Sequence, residues 1–519
     1  MRAALALLLF LAAAHAIHRG KAYVRDKVCQ EYRMLGKENF RTLTIIANSR
    51  KYSNGTFEEI GHLVREIVSL AETCCADGAD AACYENGSTA LSVKSCSPDS
   101  PFPAHPGTAE CCAQQGLEKK LCLAALRHPP QPLPRYLQPS DKELCQAFRQ
   151  DPREFADRFL YEYASSYSQA PLPVLLGSTR TFLSMVSTCC ISPAPTACFL
   201  KEKLERKTLS LLTLTSNRIC SRFSAYGKDK VSFSYLASLA QKVPRAPFED
   251  LLPLAEDAAE VSSQCCDSVA EDCMKKKLLE HTAKVCAALA TQDGRFADCC
   301  TGKNLMENHF CILAMPPAPA PELPKASEPT NKELCGKDGA LHATRFLFEL
   351  ARRHPSLPDA VLAKLYDSSG KLREECCSTK DPSTCLDSKV SGVGAPGAHP
   401  VPPHHSATQI PTEAFPSLVT PTLCPQRKRM QAELLPFLEK TSRLCRKYNE
   451  LPFLEFKKRL RESLTQAEPE ASPAQLEQLL EKRVSFASTC CLPDAPPLLC
   501  ASKVSSELAE ACKESCLLG

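Results

Sequence analysis

FEEIGHLVREIVSLAETCCADGADAAC, residues 57–83, is the stretch that decides the fold. Phe57, Ile60, Leu63, Val64, Ile67, Leu70, Ala71 and Cys74 recur at steps of three and four, the spacing of one face of an α-helix. The stripe runs into Cys74 and Cys75, which places the double cysteine at the C-terminal end of that helix. Neighbouring side chains on a helix point about 100° apart, so the two sulfurs do not easily bond each other and reach two different helices. Cys29 lies upstream and Cys83 downstream as the two partners. Cys96, Cys111, Cys112 and Cys122 then repeat the scheme over a shorter loop.

The same eight-cysteine rhythm returns at Cys220, Cys265, Cys266, Cys273, Cys286, Cys299, Cys300 and Cys311. Half-units fill the gaps, and in all five larger units a lone cysteine precedes a double one by 41 to 45 positions. Such a fixed period means one structural unit copied along the chain. Spacing alone does not fix connectivity. Repetition and helix geometry together predict nested pairs: Cys29–Cys75, Cys74–Cys83, Cys96–Cys112, Cys111–Cys122, Cys145–Cys190, Cys189–Cys198, Cys220–Cys266 and Cys265–Cys273. The rule continues with Cys286–Cys300, Cys299–Cys311, Cys335–Cys377, Cys376–Cys385, Cys445–Cys491 and Cys490–Cys500, using 28 of the 31 cysteines. Closing each long loop contributes up to about 4 kcal/mol through chain entropy. The expected fold is all-α, an array of disulfide-stapled helical domains.

Residues 1–16, MRAALALLLFLAAAHA, have an early Arg2, an apolar run and a small-residue cleavage site, the pattern of a secretory signal peptide. A secreted chain in an oxidising compartment suits 31 cysteines. Later apolar runs fall short of the roughly 18 residues of a membrane span. A formal charge of +4 over 63 basic and 59 acidic residues is close to balanced and gives no reason to expect a nucleic-acid partner. Short basic runs such as Lys275–Lys277 read as solvated helix faces. Asn54 and Asn86 begin N-glycosylation sequons.

Prolines cluster between the units, and the repeat divides the chain into 17–207, 208–394 and a third domain at 395–519 that stops after one large unit. Between Cys385 and Cys445 lie 59 residues, against 21 between Cys198 and Cys220. The excess, about 391–425, is rich in Pro, Gly, Ser and His, a composition that buries no core and predicts a disordered insertion. Cys424, Cys512 and Cys516 fall outside the repeat.

Catalytic signatures are weak. Gly392, Gly394 and Gly397 match GxGxxG, but no strand precedes them and Pro396 interrupts them. His399, His404 and His405 read as part of a flexible linker, so neither a metal nor another cofactor is expected. HExxH, GxSxG and Walker patterns are absent, and the repeat cysteines are committed to bridges. An enzyme is not expected. What remains is a surplus of apolar helical surface in the first domain, where Val28, Phe40, Leu43, Ile45, Ile46 and Tyr52 face the 57–74 helix and the Leu91-Ser92 segment. Helices clamped by disulfides can keep an apolar cleft open, which suits a carrier of a greasy ligand; the alternative is that these residues simply fill the core.

The C…CC…C scheme over 17–500 resembles the serum albumin superfamily, in its branch with a shortened third domain. The carrying stretches are SPFPAHPGTAECC at 100–112, LGKENF at 35–40, SRKY at 49–52, GTFEE at 55–59, PTACFLKEKL at 195–204, QKVP at 241–244 and EDLLPLAED at 249–257. The resemblance implies a monomeric plasma carrier of vitamin D sterols, chiefly the 25-hydroxylated form, that also sequesters monomeric actin. It implies a sterol site in the first domain, lined by Val28, Phe40, Leu43, Tyr52, Leu63 and Leu91. The ligand's hydroxyls would meet Ser92 of LSVKSC, Leu123 after KLC, and position 48. Members carry methionine where Leu123 stands and tyrosine where Asn48 stands. Asn48 keeps hydrogen-bonding capacity but loses the aromatic wall. A general carrier of fatty acids is the alternative reading.

Overall fold

The computed structural model describes residues 21–80, 82–126, 136–302, 304–319, 322–324, 326–388, 425–491, 500, 503 and 504. The expected signal peptide, the 391–425 insertion apart from Pro425, its glycines and histidines, and Cys424, Cys512 and Cys516 lie outside the described residues. Among the described residues every regular element is a helix. They pack as two compact units, Met1–Tyr235 with Leu252–Met315, and Leu236–Leu251 with Pro316–Gly519.

The first unit begins with α1 (Lys21–Lys51), α2 (Phe57–Cys74), α3 (Cys83–Ser95), α4 (Thr108–Cys112) and α5 (Gly116–Ala125). It continues with α6 (Asp141–Gln150), α7 (Pro152–Ser166), α8 (Leu172–Cys190) and α9 (Pro195–Glu205). α10 (Lys207–Lys242) and α11 (Phe248–Cys265) contribute residues to both units, and α12 (Cys273–Leu289), α13 (Gly294–Cys300) and α14 (Leu305–Ala314) complete the first.

α2 starts where the local chemistry demands. Thr56 caps it by accepting from the Glu59 amide, and the Glu59 carboxylate accepts from the Thr56 amide, a reciprocal pair that satisfies two otherwise orphaned donors. The helix ends at the double cysteine, with the Cys75 amide donating to the Ala71 carbonyl. Ile60, Leu63, Val64, Val68, Ala71 and Cys74 are buried, whereas Ile67 and Leu70 are only half-buried because they border an open space.

All fourteen nested disulfides named above are formed, with Cα–Cα separations of 5.0 to 5.7 Å. A second device accompanies three of them. Arg33, Arg149 and Asn449 each sit four residues after the lone cysteine and donate to the carbonyl of Cys75, Cys190 and Cys491. Each thereby satisfies one of the orphaned carbonyls at a helix C-terminus beside the bridge.

α1 is kinked at Gly36, whose φ of 72° lies in the left-handed region that a side chain disfavours. α10 is kinked at Gly227, with φ of 73°. Both glycines follow their lone cysteine by seven residues, so the bend belongs to the repeat.

The α1–α2 core of Phe40, Leu43, Ile46, Ile60 and Val64 continues onto α7 and α8 through Leu160, Ala164 and Leu175. Arg41 of α1 pairs with Asp157 of α7 at 2.6 Å, and the Tyr161 hydroxyl donates to the Gly55 carbonyl at 2.7 Å. These contacts fix α1 from behind while its other face stays uncovered.

The second unit contains α15 (Asn331–Leu334), α16 (Gly339–Arg353), α17 (Asp359–Cys377), α18 (Pro382–Ser388), α19 (Pro425–Glu450), α20 (Phe453–Ala467) and α21 (Pro473–Cys490). Phe248 packs edge-on against Phe348 at 5.3 Å, and Gln241 donates to the Leu357 carbonyl at 2.8 Å. The Arg461–Glu477 ion pair joins α20 to α21.

Candidate functional site

The uncovered face of α1 lines a cleft of about 620 Å³ in the first unit. Its α1 residues, Val24, Val28, Glu31, Phe40, Leu43, Thr44, Ala47, Asn48 and Lys51, recur at helical spacing on either side of the Gly36 kink. α2 adds Leu63, Ile67, Leu70 and Ala71, and α3 adds Tyr84, Ser88, Leu91, Ser92 and Ser95. α5 closes one side with Leu117, Leu121 and Leu123. A volume of this size with largely apolar walls and scattered polar groups suits one small amphiphile.

The cleft brings together every residue expected at the site: Val28, Phe40, Leu43, Asn48, Tyr52, Leu63, Leu91, Ser92 and Leu123. Ile45 and Ile46 instead turn into the packed core, at 4% and 0% exposure. Asn54 and Asn86, the sequon asparagines, are exposed.

Several of the polar groups are already occupied. The Ser92 hydroxyl donates to the Thr89 carbonyl at 2.8 Å, leaving its oxygen lone pairs as acceptors. Asn48 Nδ2 donates to the Thr44 carbonyl at 2.8 Å, so its amide oxygen is the atom that can accept from a ligand hydroxyl. The Leu123 carbonyl accepts from Lys51 Nζ. Lys51 also lies 5.3 Å from the Tyr52 ring, and burial pulls its pKa down to about 7. Burial pushes Tyr52 and Tyr84 up to about 12, keeping both phenols protonated. Glu85 pairs with Lys120 at 3.1 Å.

Among the lining groups that escaped the sequence reading, four stand out. Glu31 and Lys51 are ionisable residues on an otherwise apolar stripe, and that mismatch was the available signal. Phe223 and the Cys220–Cys266 bridge also line the cleft, although they belong to the second repeat. Their distance in sequence hid them.

The serum albumin family profile matches residues 27–199 and 218–386. The chain belongs to the serum albumin family. A profile for vitamin D binding protein, domain III, matches 443–507, which accounts for the short third domain. The chain is 46% identical to mouse (Mus musculus) vitamin D-binding protein over 98% of its length and 99% of the relative's. It is 45% identical to the human (Homo sapiens) protein over the same shares. Albumin of Mesocricetus auratus is 27% identical, over 73% of this chain and 64% of that albumin. This member of the family therefore lies on the vitamin D-binding branch.

No helix among the described residues is long and apolar enough to cross a membrane. No cluster of His, Cys, Asp or Glu among them has the grouping of a metal site.

Proposed function

We propose that this albumin-family chain is a secreted plasma carrier that binds vitamin D sterols, chiefly 25-hydroxyvitamin D, in the α1–α2–α3–α5 cleft. The observation that carries the reading is the arrangement of acceptors at Ser92, Leu123 and Asn48 within an apolar cleft of about 620 Å³. A rigid lipid with a hydroxyl at each end needs such walls and such scattered acceptors. Tyr52, Phe40, Leu43, Leu63, Val28 and Leu91 supply the apolar area. Relatives that carry vitamin D in their names at 45–46% identity support the ligand class. The three-domain division 17–207, 208–394 and 395–519 accompanies this reading, with monomeric actin as the macromolecular partner. Actin rests on the resemblance alone, and its test is co-sedimentation of the monomeric complex.

Titration of the purified chain with 25-hydroxyvitamin D tests the sterol site. One saturable site, weakened several-fold by Ser92→Ala, is expected, because one hydrogen bond contributes on the order of 1 kcal/mol. Binding that ignores Ser92→Ala would place the sterol elsewhere.

Lys51 favours a second ligand class. No carboxylate pairs with it among the described residues, so a fatty-acid head group would find a cation there only while Lys51 stays protonated. Free-site protonation is lost as pH rises through about 7. Fatty-acid affinity should therefore fall above that pH, whereas sterol affinity should not.

A further inference from the structure

Glu31 has no structural explanation in the first unit. Its side chain lies on the cleft face of α1 at 2% exposure, between Val28 and the Gly36 kink. Its Oε2 is buried and has no hydrogen-bond partner among the described residues. The opposite charge acting on it is Lys27, one turn earlier, whose ammonium donates to Gln30 at 3.4 Å. Leaving a buried carboxyl unpaired is costly, and a leucine of similar size would avoid the cost. A residue kept at such a cost in the wall of an apolar cleft points to a partner that arrives with the ligand.

We infer that Glu31 reads the ligand, its carboxyl forming a hydrogen bond with a hydroxyl of the bound lipid in addition to those met at Ser92, Leu123 and Asn48. Burial pushes the Glu31 pKa up to about 8, so at neutral pH the group is a protonated acid that both donates and accepts. A neutral hydroxyl satisfies it, whereas an anionic head group placed there would be repelled as soon as the acid ionised. Once it ionises, as pH rises past about 8, Glu31 therefore biases the cleft toward neutral, hydroxylated lipids and against carboxylates. The other ionisable groups around the cleft do not duplicate this role. Glu85 is paired with Lys120, Lys51 and Arg50 each donate to a backbone carbonyl, and Asp267 is exposed.

This inference rests on the sterol-carrier reading, and the experiment separates the two. Glu31→Gln and Glu31→Leu are prepared in the full-length chain beside the parent. Affinities are measured for a series of vitamin D sterols carrying one, two and three hydroxyls, with thermal unfolding of each unliganded protein. Glu31→Leu should lose about tenfold in affinity for at least one of the more hydroxylated sterols and little for the one with a single hydroxyl. Glu31→Gln, which keeps a donor and an acceptor, should stay within about threefold of the parent. Unfolding temperature should hold or rise in Glu31→Leu, because a structural carboxyl would show the opposite. Equal losses across the series, or none, would overturn the role of Glu31 while leaving the carrier reading standing. A parent that binds no member of the series would overturn the carrier reading, and this inference with it.

Discussion

The two long repeats of the first unit share a scaffold and differ in what fills it. Counting from Cys29 and Cys220, the kinks at Gly36 and Gly227 coincide, and so do the acidic residues Glu66 and Asp257. Counting back from Cys96 and Cys286, Lys94 and Lys284 coincide, and each pairs with its acidic residue. The face between them is another matter. Tyr84, Ser88 and Ser95 line the cleft of the first repeat, whereas their counterparts Met274, Leu278 and Val285 are buried at 1–3% exposure. Thr44 and Leu91 have Tyr235 and His281 as counterparts.

In the second repeat Tyr235, His281 and Asp257 satisfy one another. Tyr235 is 2.8 Å from His281 Nε2, and His281 Nδ1 is 2.8 Å from Asp257 Oδ2. In the first repeat Glu31 Oε2 is left unpartnered. The comparison teaches that the cleft stands open where Ser88 and Ser95 replace the buried Leu278 and Val285 of the filled repeat, with the disulfide frame kept. A frame closed by long-loop bridges tolerates an unfilled interior that an unbridged helix pair would not.

Copying the second repeat's packing into the first is the strongest way to break this contrast. Ser88→Leu with Ser95→Val should fill the cleft and reduce sterol affinity by more than about a hundredfold, measured by equilibrium titration, with no loss of thermal stability. Retained affinity would mean the serine face is incidental.

The reverse comparison concerns stability. Leu278→Ala should cost about 2–5 kcal/mol in denaturant unfolding, because it opens a cavity in a packed face. Ser88→Ala should cost under about 1 kcal/mol, since it borders open space and Lys120 keeps its pairing with Glu85. Similar costs would erase the distinction between a filled and an open repeat.

The repeats should also respond to pH with opposite signs. The Glu31 pKa is raised from 4.5 to about 8, so its contribution to stability is fully present below pH 4.5 and is lost as pH rises toward 8. Burial lowers the His281 pKa against the pull of Asp257. Burial alone would raise Asp257, but hydrogen bonds from Lys284 and His281 hold it below the usual carboxylate range. Both contributions in the second repeat are therefore lost as pH falls, from 6.5 downward for the histidine. Hydrogen exchange resolved by segment should show α12 opening first in acid. Glu31→Gln should flatten the pH 4.5–8 slope of unfolding stability. The smallest effect concerns position 48, where Asn48→Tyr should strengthen sterol binding several-fold by restoring a phenol and an aromatic wall.

Much of this was legible because cysteine spacing is a long-range signal. Repetition plus the angle between adjacent helical side chains was enough for the bridges, and the α2 stripe gave the helix that carries them. The cleft walls were legible as apolar faces, but open and filled faces share one periodicity. Ile67 and Leu70 read as core residues, yet they border the cleft, and Val68 off the stripe is buried. Glu31 and Lys51 were hidden because a charge on a helix ordinarily reads as a solvated position. Phe223 and the Cys220–Cys266 bridge reach the cleft through tertiary packing, which local pattern does not encode.

The central claim is that the sterol occupies the open repeat and not the filled one. Hydrogen-exchange mass spectrometry of the full chain with and without 25-hydroxyvitamin D tests it directly. The account predicts ligand-induced protection in α1, α2, α3 and α5, with α12 and α14 unchanged. Protection centred on α12 and α14, or confined to the second unit, would contradict it.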